Sequence, residues 1–141
     1  MKYFIDALKN YVNFGGRARR SEYWYFALFT FLFAIAAMVI DMLIFDNSEL
    51  DSSDADGPVG IFYMLVILGT LIPGLAVLVR RLHDTGKSGW YVFILLIPFG
   101  SIWMLILLFT DSQIGPNEYG PNPKDIGNYD EIDQIGSYLE N

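Results

Sequence analysis

The sequence predicts an all-α, polytopic membrane fold: about three transmembrane helices preceded by an N-terminal interfacial amphipathic helix. Three observations carry that expectation. First, three apolar runs, Tyr23–Phe45, Ile61–Val79 and Trp90–Phe109, have 19 to 23 residues each, which at 1.5 Å per residue matches a hydrocarbon core of about 30 Å. Second, the chain holds 9 Lys and Arg and 16 Asp and Glu, yet only Asp41 lies inside a run. Third, the runs lack the alternation of a barrel strand, so helices are the way for their backbone to satisfy its own hydrogen bonds in lipid. The hydrophobic share of 53% exceeds the roughly 45–50% of a soluble domain.

Residues 1–14 open the chain. Phe4, Leu8, Tyr11 and Val12 recur at helical spacing with Lys2, Lys9 and Asn10 elsewhere, the pattern of a short helix lying at a bilayer surface. Gly15 and Gly16 end it. The remaining membrane domain is expected to cover residues 15–125. Ser21 and Glu22 suit the start of the first span, with a hydroxyl cap and an acid at the positive helix end. Tyr23, Trp24 and Tyr25 form an aromatic belt. The run continues past the small residues Ala34 and Ala36, so an uncleaved anchor is expected rather than a signal peptide.

Asp41 is an intramembrane acid, a residue type that often marks a relay or pathway, although it lies one helical turn before Phe45 and the polar loop. Residues 46–57 are rich in acids and read as a mobile external loop. In the second span, Pro73 removes the amide that would serve the Gly69 carbonyl, and in the third, Pro98 does the same to Ile94. Gly69, Thr70 and Gly74 are small residues that favour close helix packing. Residues 126–141 read as an acidic mobile tail.

Orientation follows the basic residues. Five of the nine precede the first run, none lies between the first two, three (Arg80, Arg81, Lys87) follow the second, and Lys124 follows the third. The N-terminus and the loop 80–89 are therefore expected in the cytoplasm. Three crossings would leave the tail outside; a re-entrant arrangement or a fourth crossing is the alternative, since Pro98 and Gly100 interrupt the third run.

Composition also limits chemistry. The absence of cysteine excludes disulfides, thiolate catalysis and cysteine metal sites. A net charge of -7 disfavours nucleic acid as a partner. His83 is the single histidine, so no metal site is expected, and no cofactor is implied. Gly86-Lys87-Ser88 lacks the glycine and preceding strand of a nucleotide loop. Asp84-Thr85-Gly86 lacks the second carboxylate of an aspartic protease.

Two segments carry most of the chemical interest: Phe14-Gly-Gly-Arg-Ala-Arg-Arg-Ser-Glu-Tyr-Trp24 and Arg80-Arg-Leu-His-Asp-Thr-Gly-Lys-Ser-Gly-Trp90. On one membrane face they would gather Arg17, Arg20, Glu22, Trp24, Arg80, Arg81, His83, Asp84, Lys87 and Trp90. Arginine's planar donors suit phosphate and carboxylate alike. The set therefore fits either an anionic lipid headgroup site or ion pairs that hold helices together under the positive-inside rule. Three functional classes follow. One is a binding or regulatory protein for anionic lipid or a membrane-protein partner, a second copy of the chain included. Another is a small transporter using Asp41, and the third a headgroup-modifying enzyme using Glu22, His83 or Asp84 as acid or base.

Together with Gly115-Pro-Asn-Glu-Tyr-Gly-Pro121, these segments resemble the signature blocks of a bacterial inner-membrane family, domain of unknown function 805, the YhaH-like proteins. The resemblance covers about residues 1–125. It implies a small multi-pass protein of the bacterial inner membrane with unassigned activity, and it adds Gly89, Asn117, Tyr119 and Gly120 to the candidate residues. The acidic loop and the tail beyond Asp125 are particular to this chain.

Overall fold

The computed structural model describes residues 2–44 and 60–126. Among them are four α-helices, α1 (Lys2–Lys9), α2 (Arg20–Ile44), α3 (Ile61–Asp84) and α4 (Gly100–Phe109), with a 3-10 helix at Gly89–Leu96 between the last two. The expected acidic loop 46–57 and the tail after Ile126 lie outside the described residues.

α2 and α3 have 25 and 24 residues and are long and apolar enough to cross a bilayer. Within their most hydrophobic stretches only 11% and 17% is buried. A core helix of a soluble protein hides its apolar side chains; here Phe31, Leu32, Met38, Leu65 and Leu68 point outward, as lipid requires. Contact between the helices is made where side chains are small or well fitted. Gly74 lies against the Phe26 ring, and Ala7, Phe26 and Val77 form one buried cluster. Such packing, rather than hydrophobic transfer, is the attraction available between helices in lipid.

At the end of the bundle far from Arg80, Asp41 joins the two long helices. Its carboxylate accepts from the amides of Phe62 at 3.0 Å and Tyr63 at 2.8 Å, in the first turn of α3, so a residue of α2 caps α3 from outside. Gly60 stands against that carboxylate, where an added Cβ would collide with it. We expect Asp41→Ala to destabilise the bundle by about 1–2 kcal/mol, the usual cost of losing a cap. Thermal unfolding in detergent reads this directly, and an unchanged midpoint would show that the cap contributes nothing.

The amphipathic character of α1 is divided between two surfaces. Phe4 packs on Phe26, Phe29 and Phe33 with ring centroids 5.4–5.6 Å apart, and Ala7 is fully buried against α2 and α3. Ile5, Leu8 and Val12 stay exposed. Beyond the helix, the Tyr11 hydroxyl donates to the Gly69 carbonyl at 3.1 Å. That carbonyl is the one Pro73 leaves without a helical donor, so the N-terminal segment supplies what the proline removes.

The third apolar run departs from a single crossing helix. It folds as the 3-10 helix, capped by Ser88 accepting from the Trp90 amide at 3.4 Å, then a turn, then α4. Phe99 occupies the left-handed region with φ 64°. Gly100 sits against the Ile94 carbonyl, where any side chain would clash. Both ends of the run meet the Arg80 end of α3: Gly89 lies against Val79 and His83, and Arg81 reaches the carbonyls of Leu108 and Thr110. Met104, Leu107 and Leu108 of α4 pack on Leu82, with Val92 and Ile94 beside them. The physical reason is the Pro98 break: it divides the run into pieces of 8 and 10 residues, each about 15 Å long, half a bilayer.

Candidate functional site

The last turn of α3 presents Arg80, Arg81, His83 and Asp84, all buried. Cations at a helix C-terminus are favoured by the backbone dipole; burial then demands a partner for each charge. Asp84 is the hub. Its Oδ1 accepts from Arg17 Nε at 3.0 Å, and its Oδ2 accepts from Arg81 Nη1 and from Ser112 Oγ at 2.6 Å. Its backbone carbonyl accepts from the Gln113 amide at 2.9 Å. Both carboxylate oxygens are therefore engaged by charge-assisted bonds.

The arginines spend their remaining donors on backbone. Arg17 Nη1 donates to the Gly115 carbonyl at 2.7 Å, and Nη2 donates to that of Gln113. Arg81 donates through Nη2 to Leu108 at 3.2 Å and to Thr110, while Arg20 Nη1 donates to Phe109 at 3.1 Å. These carbonyls end α4 and have no helical donor of their own, so two guanidinium groups from α2 and α3 cap α4.

The Gly115–Pro121 motif closes over this hub. Asn117 Nδ2 donates to the His83 carbonyl at 2.9 Å, and Asn117 Oδ1 accepts from the Tyr119 amide at 2.9 Å, making a local side-chain turn. Gly120 follows with φ 130°, a conformation open to glycine. Tyr119 lies flat on the His83 ring, centroids 3.8 Å apart. His83 Nδ1 is 3.3 Å from the Gly16 carbonyl. The Glu118 carboxylate beside Tyr119 pushes its phenol above the ordinary range. Outside the hub, the Lys124 ammonium and then the Ser112 amide hold the exposed Asp111 carboxyl below its ordinary value.

The remaining sequence candidates lie around this core. Glu22 pairs with Arg80 at 2.8 Å. Arg20, with 41% of its side chain exposed, pairs with Asp111 at 3.0 Å, and Trp24 packs on Phe109 with ring centroids 4.7 Å apart. Lys87 stands 5.9 Å over the Tyr91 ring, and Trp90 is 77% exposed. Asp41 is at the opposite end of the bundle and belongs to no part of this cluster. Ser112, Gln113 and the carbonyls of Leu108 to Thr110 were not foreseen. They act through backbone groups or one hydroxyl, and their only sequence signal is proximity to the Gly115 motif. Among the described residues no group of three His, Cys, Asp or Glu is arranged to hold a metal.

The family described as "Protein of unknown function (DUF805)" matches residues 11–121. Inner membrane protein YhaI of Escherichia coli K12 is 38% identical over 126 residues, 88% of this chain and 97% of the relative. Inner membrane protein YhaH of the same strain is 36% identical over 126 residues, 88% of this chain and 98% of the relative. No solved structure matches.

Proposed function

The chain belongs to the DUF805 family of helical inner membrane proteins, and from that premise we propose that it is a non-catalytic binding protein whose cytoplasmic, arginine-rich end engages anionic lipid headgroups. The observation that carries this reading is the gathering of basic residues at one end of the bundle. Arg17 and Arg81 meet at Asp84, Arg80 pairs with Glu22, and Arg20 and Lys124 share Asp111. The positive-inside rule makes that end cytoplasmic. With Lys124 there too, α2 and α3 are the two crossings and the third run is a re-entrant hairpin, its C-terminal segment on the cytoplasmic side.

Within this cluster the labour is divided. Arg17 and Arg81 are saturated by Asp84 and backbone, which supports a structural role for them. Arg20 and Lys87 retain exposure and lie within four positions along the chain of Trp24 and Trp90, residues suited to the headgroup level. The occupation of both Asp84 oxygens argues against a free general base there, and the capping duty of Asp41 argues against a free proton carrier.

The test is lipid retention. Protein released in mild detergent is examined by native mass spectrometry, wild type against an Arg20→Ala, Lys87→Ala double variant. Loss of about 2 kcal/mol of surface attraction, about 1 kcal/mol per basic residue, should cut retained anionic lipid roughly thirtyfold. Identical lipid profiles would overturn the headgroup reading.

A further inference from the structure

Among the described residues, Arg80 is the arginine of the cluster with buried donors that meet no acceptor. It is 5% exposed. Nη1 donates to Glu22 Oε1 at 2.8 Å, while Nε and Nη2 are buried with no hydrogen-bond partner among the described residues. Buried cationic donors without an acceptor are costly and call for a physical explanation. Nε and Nη2 form the side-on edge of the guanidinium, two parallel donors spaced for two oxygens of one phosphate or carboxylate.

α1 packs one helical turn along from this ion pair. Glu22 and Phe26 are one turn apart on α2, as Val77 and Arg80 are on α3, and Ala7 of α1 sits fully buried against Phe26 and Val77. Asp6, next to Ala7, is close enough to act electrostatically on Glu22, as is Arg19. α1 is joined to α2 through Gly15 and Gly16, the latter exposed with φ 79°. Its outward residues Ile5 and Leu8, and Val12 just beyond it, are already apolar and exposed, so the helix has a face to offer a bilayer surface as well as one for the groove.

We propose that Arg80 is the phosphate-binding residue of a site that α1 closes. When α1 leaves the groove for the membrane surface, Nε and Nη2 take two oxygens of a phosphate group while Nη1 keeps Glu22. Asp6 departs with α1, which removes a repelling carboxylate. The ligand chemistry is a phosphate, carried by a lipid headgroup or free in the cytoplasm. This deepens the headgroup reading by adding a second, gated position to the surface one at Arg20 and Lys87.

The experiment follows α1 and binding together in the full chain, which has no native cysteine to interfere. A spin label at Leu8→Cys reports α1 mobility in a phosphate-free sugar detergent, with phosphatidylglycerol added in one arm and inorganic phosphate in the other. Release of α1 by the lipid alone identifies a headgroup site, and release by inorganic phosphate a soluble anion; either supports the proposal. Ala7→Trp, too large for its buried position, should hold α1 out and raise binding of the effective probe about tenfold, the gain from removing a closed state of that weight. Arg80→Lys in that background should lose the gain, because an ammonium cannot present the paired donors. If α1 stays immobile with both probes, or Ala7→Trp leaves binding unchanged, Arg80 is a packing residue and the proposal falls. The Arg20→Ala, Lys87→Ala profile is read separately, so failure at one position does not imitate failure at the other.

Discussion

Asp84→Ala is expected to lower the unfolding free energy by about 3–5 kcal/mol, the penalty for breaking a buried ion pair by removing one partner. The side chains of Arg17 and Asp84 are 1% and 0% exposed, and that of Arg81 is 0% exposed. Without the carboxylate, two guanidinium groups are left facing each other in a site closed to water, and Ser112 loses its acceptor as well. The loss spreads further, because Arg17 also holds the Gln113 and Gly115 carbonyls and Arg81 holds the end of α4. Asp84→Asn should restore only part of the stability, since it keeps one acceptor oxygen and turns a donor toward an arginine. The check is the midpoint of thermal unfolding in detergent. A midpoint within a degree or two of wild type would mean that the hub is assembled by packing and that the ion pairs follow.

Topology gives the second large effect, which is all-or-none. Glu118 is exposed beside Tyr119, in the motif that covers Asp84, so it must lie on the same side of the membrane as Arg17. A Glu118→Cys variant should react with a membrane-impermeant maleimide in inverted vesicles and stay unlabelled in intact spheroplasts. A Ser52→Cys variant, on the segment between α2 and α3, should behave in the opposite way. Labelling of both positions from outside would restore three full crossings. It would also require the Arg17, Arg81 and Asn117 contacts to be absent in the membrane, because no side chain reaches across about 30 Å of hydrocarbon.

Helix type and membrane character were legible along the chain. The lengths of the runs, the exclusion of charge from them and the gathering of Lys and Arg in two segments depend on composition within short windows, which is what a hydrocarbon slab selects. The Pro73 break also predicted an orphan carbonyl at Gly69, and that carbonyl is where Tyr11 donates. The pairing of Arg17 with Asp84 and the capping of α4 by Arg20 and Arg81 were not legible. They join residues 27 to 89 positions apart, and no periodicity links such positions. The break within the third run was not legible for a local reason: hydropathy sums over 20 residues without regard to direction, and Pro98 followed by a left-handed Phe99 and a Gly100 that fits under the Ile94 carbonyl turns the chain within the run.

By itself the sequence determined that the chain forms apolar helices and resembles a family of inner membrane proteins, because lipid imposes helix, length and charge placement residue by residue. Only the tertiary structure decided what the charged residues do. Once Asp84, Arg17 and Arg81 are enclosed by the hairpin and the Gly115 motif, burial forces each charge to find a partner. The arginines that look alike in the sequence then separate into the buried clamps Arg17 and Arg81, the part-exposed Arg20, and Arg80 with one edge of its guanidinium unpaired.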